Sequence, residues 1–247
     1  GEHIAGDGTD LTITSGNDIK LAVGSSGSVH SSGVGGTGNT VLGIDAGIGL
    51  ESGSNYNVFI GDLTGDSSLN DALYSVGVGY AALSSLTTGD RNVLIGRNAG
   101  EAVTTGISNV AVGRFAMQGV STTSYNVAVG TQAGSNVSEG GTNVGHTAGS
   151  NGGSRTTSVG YQAVLYPDGN YNTAMGYQAL RGNSTSSTGY NNVAIGYQSG
   201  HDLTSGYRNT LVGFQAGYDI ESGLDNTLIG QQAGGNITSG PRNTIVG

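Results

Sequence analysis

Residues 209–217 read NTLVGFQAG, and the same phrase returns along most of the chain. It stands as NNVAIGYQS at 191–199, as NTLIGQQAG at 226–234, and as NTIVG at 243–247. Anchored on its glycine, the register falls at Gly43, Gly61, Gly79, Gly96, Gly113, Gly130, Gly145, Gly160, Gly176, Gly196, Gly213, Gly230 and Gly247, at intervals of 15 to 20 residues. Self-similarity at so short and steady a period is the mark of a stacked solenoid. The pattern predicts an all-β fold, a parallel β-solenoid (β-roll) of about twelve coils spanning 37–247.

Each position of the phrase has a physical task. The residue before the anchor is apolar throughout, from Leu42 and Ile60 to Ile229 and Val246, and three before it stands Val or Thr, as in Val58, Val193 and Thr210. Strand side chains alternate faces, so these two columns share one face, which we expect to line the coil interior. The column between them would then point outward, yet it too is mostly apolar. A strand buried on both faces needs a cover. That reasoning makes Phe59, Leu94, Ala128, Ala194, Leu211, Leu228 and Ile245 a seam against sister chains, most simply in a trimer.

The remaining columns fill in the coil. An Asn four residues before the anchor, such as Asn92, Asn109 and Asn209, would stack on its equivalents as an amide ladder. Small residues three after it (Ala99, Ala216, Ser199) suit a tight inside corner. Apolar residues seven after it (Leu86, Val103, Ile220) suggest a second strand in each coil. The anchor glycine allows a bend or a close backbone approach. Twelve intervals at a strand spacing of roughly 4.8 Å give a rod about 58 Å long.

Composition narrows the rest. Glycine is 48 of 247 residues while proline is only 2, which fits many tight turns and neither collagen nor a proline-rich linker. Charged residues are 10% and the formal net charge is −9; the eight Lys and Arg are scattered singly, so no basic stripe offers itself to nucleic acid. There is no cysteine for a disulfide or thiolate metal site, and no run of membrane-spanning length. Residues 1–36 differ: GDGTDLTITSGNDIKLAVG alternates like a short β spacer and is followed by a Gly/Ser linker. With Gly first and a repeat opening last, the sequence reads as a piece of a longer chain.

NTAMGYQAL at 172–180, with NNVAIGYQSG and NTLVGFQAG, resembles the repeats of phage tail-fibre proteins and, more distantly, trimeric autotransporter adhesin heads. GDGTDLTI is similar to a spacer of marine-phage tail fibres. The resemblance implies a left-handed, homotrimeric β-roll, a structural and non-enzymatic part of an extracellular virion tail fibre that supports host attachment. A bacterial adhesin head on the cell surface, or a glycan depolymerase on the same scaffold, are the alternatives. An ice-binding roll is more remote, because Thr alternates with Val or Glu. The shortened repeats at Gly145 and Gly160 and the long interval after Gly176 depart from the pattern and point to bulges or loops.

Residues able to do chemistry are sparse. Glu51 and Glu221 both sit eight after an anchor, where other coils carry Thr or Ser, and read as solvated turn residues more readily than as a glycosidase pair. His201 and Asp202 are adjacent without a nucleophile elbow. His3, His30 and His146 share no ligand spacing. Asp7 and Asp10 lack the ligand run of a calcium loop, and no helix follows the glycines to hold a phosphate. We expect neither metal nor cofactor. Tyr161, Tyr177, Tyr197 and Phe214, one after their anchors and usually followed by Gln, form either a structural ladder or a contact for cell-surface glycan.

Overall fold

The computed structural model describes residues 36–166, 169–183 and 187–247. The expected spacer and linker, with His3, Asp7, Asp10 and His30, thus lie outside the described residues apart from Gly36. Among those described are thirteen three-residue strands and no helix: β1 (Thr40–Leu42), β2 (Val58–Ile60), β3 (Val76–Val78), β4 (Val93–Ile95), β5 (Val110–Val112), β6 (Val127–Val129), β7 (Thr142–Val144), β8 (Thr157–Val159), β9 (Thr173–Met175), β10 (Val193–Ile195), β11 (Thr210–Val212), β12 (Thr227–Ile229) and β13 (Thr244–Val246). They pair in chain order as one parallel sheet. Phrase lies on phrase, with Val193 opposite Thr210 and Ile195 opposite Val212. The chain is a parallel β-solenoid of about twelve turns.

Every strand ends at its anchor glycine, where φ lies between 124° and 141°. Only glycine adopts this backbone without strain. The anchors also stack directly on one another: a Cβ on Gly79 would sit 2.7 Å from the Gly96 carbonyl oxygen. After the anchor come two tight turns, closed in the fourth coil by Ala99 N–H to Gly96 O (3.1 Å) and Val103 N–H to Gly100 O (3.0 Å). Rung-to-rung bonds continue through them, as from Asn98 N–H to Tyr80 O (2.9 Å) and Gly100 N–H to Ala116 O (2.9 Å). The second strand expected in each coil is therefore absent among the described residues, which show only the isolated bridges Leu50–Leu69 and Tyr207–Leu224 there. Left-handed residues such as Asn98 (φ 55°) and Gly100 (φ 56°) cannot belong to an extended strand.

The faces of the strand are the reverse of those expected from sequence. The middle column points into the coil: Phe59, Leu94, Ala128, Ala194, Leu211 and Leu228 are fully buried within one chain. They cannot form a seam with sister chains; Ile245, in the last coil, is partly exposed. The flanking columns face outward instead, with Ile95, Met175, Ile195 and Ile229 between 38% and 44% exposed. Both columns are apolar, so alternation alone left the sense of the strand open. The enclosed side is settled by volume, because a coil this thin admits one strand side chain per rung.

That volume is shared between the middle strand residue and the residue four after the anchor. Where the strand supplies a large side chain (Phe59, Leu94, Leu211, Leu228), the facing position is Gly65, Gly100, Gly217 or Gly234. Where it supplies Gly77, Ala111 or Ala174, the facing residue is Leu83, Met117 or Leu180, all buried. Ala128 and Ala194 instead face Gly134 and Gly200, and there neighbouring rungs reach in, Leu211 Cδ1 and Leu180 Cδ2 lying 2.7 and 3.0 Å from a Cβ placed on Gly200. The two large residues exclude one another: a Cβ on Gly217 would lie 2.8 Å from Leu211 Cδ2, and one on Gly234 2.7 Å from Leu228 Cδ1. Both arrangements fill the lumen, as close packing requires. The left-handed φ at this position (Met117 53°, Leu180 47°) makes glycine the relaxed choice and the large residue the strained one.

The Asn column forms the expected buried ladder. Asn209 Nδ2 donates to Asn192 Oδ1 (3.0 Å) and to Gly223 O (2.8 Å), and its own Oδ1 accepts from the backbone N–H (3.1 Å) and Nδ2 (2.9 Å) of Asn226. The shortened coils interrupt this ladder with Gly141 and Thr156 but keep the strand register through β7 and β8. Here the lumen turns polar. Asn143 and Ser158 occupy the inward column, with Ser158 Oγ donating to Asn143 Oδ1 (2.7 Å) and Asn143 Nδ2 buried without a partner. This polar step separates two apolar clusters, one from Leu50 to Val137 and the other from Ala163 to Ala233.

Candidate functional site

Three of the outward surfaces among the described residues bear on function. The first is the outer face of the sheet, where the columns of Val or Thr and of Ile, Val or Met run from β1 to β13. With a length of about 58 Å and a width of about 10 Å it covers roughly 600 Å². Seven of the thirteen residues in the first column are Thr, so the apolar part of this face is the unbroken column from Leu42 to Val246 with the Val residues beside it.

The second is a ladder of rings along the edge of that face. His146, Tyr161, Tyr177, Tyr197 and Phe214 stack with centroids 5.4, 5.1, 5.1 and 5.2 Å apart. Strand spacing dictates this: identical positions on successive rungs lie about 4.8 Å apart, close to ring-stacking distance. Beside it runs an amide ladder, Gln178 to Gln162 (2.9 Å), Gln198 to Gln178 (3.0 Å) and Gln215 to Gln198 (3.0 Å). The sequence placed all four glycan candidates, Tyr161, Tyr177, Tyr197 and Phe214, in this column. Tyr161, Tyr177 and Tyr197 have both faces taken by neighbouring rings, which leaves their rims and phenol hydroxyls outward. A sugar ring stacks on an aromatic face, so only hydrogen bonding is open to it at these three.

The third is a groove round the turn from the sheet, between the columns two and five or six after the anchor. It deepens at Gln215, Tyr218, Asp219, Gln232, Gly235 and Asn236 into a cavity of about 360 Å³. Tyr218 stacks on His201 with centroids 4.9 Å apart and planes 3° from parallel, and His201 Nδ1 lies 2.6 Å from Asp202 Oδ1. The His201–Asp202 pair singled out in the sequence thus holds an imidazole flat against a tyrosine. Burial first, and then the carboxylates of Asp202 and Asp219, push the Tyr218 phenol above its ordinary 10.0, so it remains a neutral donor at neutral pH. Tyr218 escaped the sequence reading because it stands five after its anchor, outside the phrase that defines the repeat.

Other candidates are dispersed by the fold. Glu51 follows β1 and Glu221 follows β11, ten rungs apart. At a strand spacing of about 4.8 Å they are separated by roughly 48 Å, whereas a glycosidase pair needs about 5 to 9.5 Å. His146 lies in the ring ladder and His201 in the groove, on different columns and three rungs, roughly 14 Å, apart along the rod. No group of three or more His, Asp or Glu among the described residues converges as a metal site would. No helix there is long and apolar enough to cross a membrane.

No family model, curated protein or solved structure matches the chain.

Proposed function

We propose that the protein is a structural, non-enzymatic segment of an extracellular phage tail fibre, a left-handed roll assembled as a homotrimer that holds an attachment tip away from the particle. One observation carries this: an unbroken apolar column, Leu42 to Val246, runs outward along the rod beside a second column of Val and Thr, on a chain whose own lumen is already filled. Sister copies are the economical cover, because identical columns with one period stay in register over the whole length. The repeat phrase supports the fibre assignment by its resemblance to tail-fibre repeats. Along the side of the fibre, the ring rims of Tyr161, Tyr177 and Tyr197, with Phe214 and the amide ladder, offer hydrogen bonds to host surface glycan. Nucleic acid does not suit a surface of formal net charge −9.

The test is solution mass by light scattering for the chain and for Ile195→Glu, which places a carboxylate in the middle of the outer face. A trimer that falls to monomers with an unchanged circular dichroism spectrum is expected. A wild-type monomer at micromolar concentration, or a trimer indifferent to the substitution, would remove the basis for this assembly.

A further inference from the structure

The groove contains an interrupted stack. Its rungs are related by Asp202 N–H to Tyr218 O (3.1 Å) and Asp219 N–H to Gly235 O (3.1 Å), so His201, Tyr218 and Gly235 occupy one column on successive coils. His201 covers one face of Tyr218. The next rung brings a glycine, which has no side chain to cover the other. The face of Tyr218 turned toward Gly235 opens into the cavity of about 360 Å³.

We propose that this slot is a binding site for a neutral pyranose, seated with its C–H face on the free side of Tyr218. The rim has donors and acceptors for vicinal hydroxyls: the Asn236 amide, the Asp219 carboxylate, the Gln232 Oε1, and the second amide hydrogens that Gln215 and Gln232 keep while bonded in the ladder. An aromatic floor with a few convergent polar groups is the usual make-up of a small-ligand site. The charges acting on Tyr218 are the carboxylates of Asp202 and Asp219 and, opposing them, the Arg181 guanidinium; the two carboxylates outnumber it and disfavour anionic sugars and phosphates. A quaternary ammonium ion would be drawn by the carboxylates but favours a cage of several rings, and here there is one. Most of its lining, Tyr218, Asp219, Gly235 and Asn236, lies round the turn from the outer sheet face.

Gly235 permits a direct test because filling the slot need not harm the coil. Its φ is not in the left-handed region, and an added Cβ would meet only the Gln232 carbonyl oxygen, at 3.3 Å, with the next atom at 3.9 Å. Gly235→Tyr should continue the His201–Tyr218 stack and occupy the sugar's place. Binding is read by saturation-transfer NMR on the full chain, with the methyl glycosides of glucose, galactose, mannose and N-acetylglucosamine as probes and choline as a counter-probe. Millimolar binding of at least one glycoside is expected, with affinity at least about tenfold lower in Tyr218→Ala and signal lost in Gly235→Tyr. The Gly235→Tyr chain should keep its circular dichroism spectrum and its solution mass. No transfer from any glycoside, transfer undiminished in Gly235→Tyr, or binding of choline in place of the glycosides would each overturn the proposal.

Discussion

Exchanging the large and small partners of the lumen tests the packing rule directly. Ala111 faces Met117 in the fifth coil, whereas Leu211 faces Gly217 and Leu228 faces Gly234 near the C-terminal end. Met117→Gly alone removes a fully buried side chain, a loss of about 2 to 5 kcal/mol from transfer and cavity. It recovers about 1 kcal/mol by relieving the left-handed backbone at φ 53°. Ala111→Leu alone drives a second large side chain into space Met117 already fills, costing about 1 to 3 kcal/mol. Together, Ala111→Leu and Met117→Gly copy the arrangement at Leu211 and Gly217, where a side chain at the glycine would meet Leu211 Cδ2 at 2.8 Å. The double variant should therefore lie within about 1 kcal/mol of wild type, a coupling of about 1 kcal/mol at the least and about 4 at the middle of these ranges. Urea unfolding of the four proteins, followed by circular dichroism, gives the cycle. Additive destabilisation would refute the claim that the two columns share one volume.

Three further outcomes follow from the same geometry. Asn209→Ala removes the acceptor of the Asn226 amide and leaves Gly223 O and Asn226 Nδ2 without it; a loss of about 2 to 4 kcal/mol is expected, with hydrogen exchange at the Asn226 amide accelerated and strands near β2 unaffected. Leu211→Glu buries a carboxylate in the lumen and should unfold the adjoining coils before it affects assembly, the opposite of Ile195→Glu; a folded monomer from Leu211→Glu would restore the inverted face assignment. Gly213→Ala puts a Cβ inside contact distance of the Gly230 carbonyl at φ 137°, and an unchanged melting temperature would contradict the anchor's role.

Much of this architecture is legible in the residues. The period fixed the rungs, and Asn92, Asn109 and Asn209 declared a ladder because an amide carries both donor and acceptor and can bond to its own copy. The face of the strand was not legible from alternation, since Val193, Ala194 and Ile195 are all apolar. The informative signal was that no coil carries two large residues at these positions, as with Leu94 and Gly100 or Gly77 and Leu83, which two residues sharing an enclosed space would show. Uniform β-branched columns, by contrast, suit a flat outer face. The ring ladder was legible as a column but not as a stack with its faces occupied, because that depends on the rung height. The Tyr218 slot was legible least of all, since it consists of a missing side chain at Gly235.

The polar step at Asn143 and Ser158 has a mechanical consequence. On either side of it, neighbouring turns grip one another through greasy side chains as well as backbone bonds; at the step the apolar filling gives way to backbone bonds and a few side-chain ones, such as Ser158 to Asn143. A rod pulled along its axis or bent from its ends would yield there first, dividing into two stiff arms that each keep their own filling. Two small polar residues thus give an otherwise uniform shaft a defined joint.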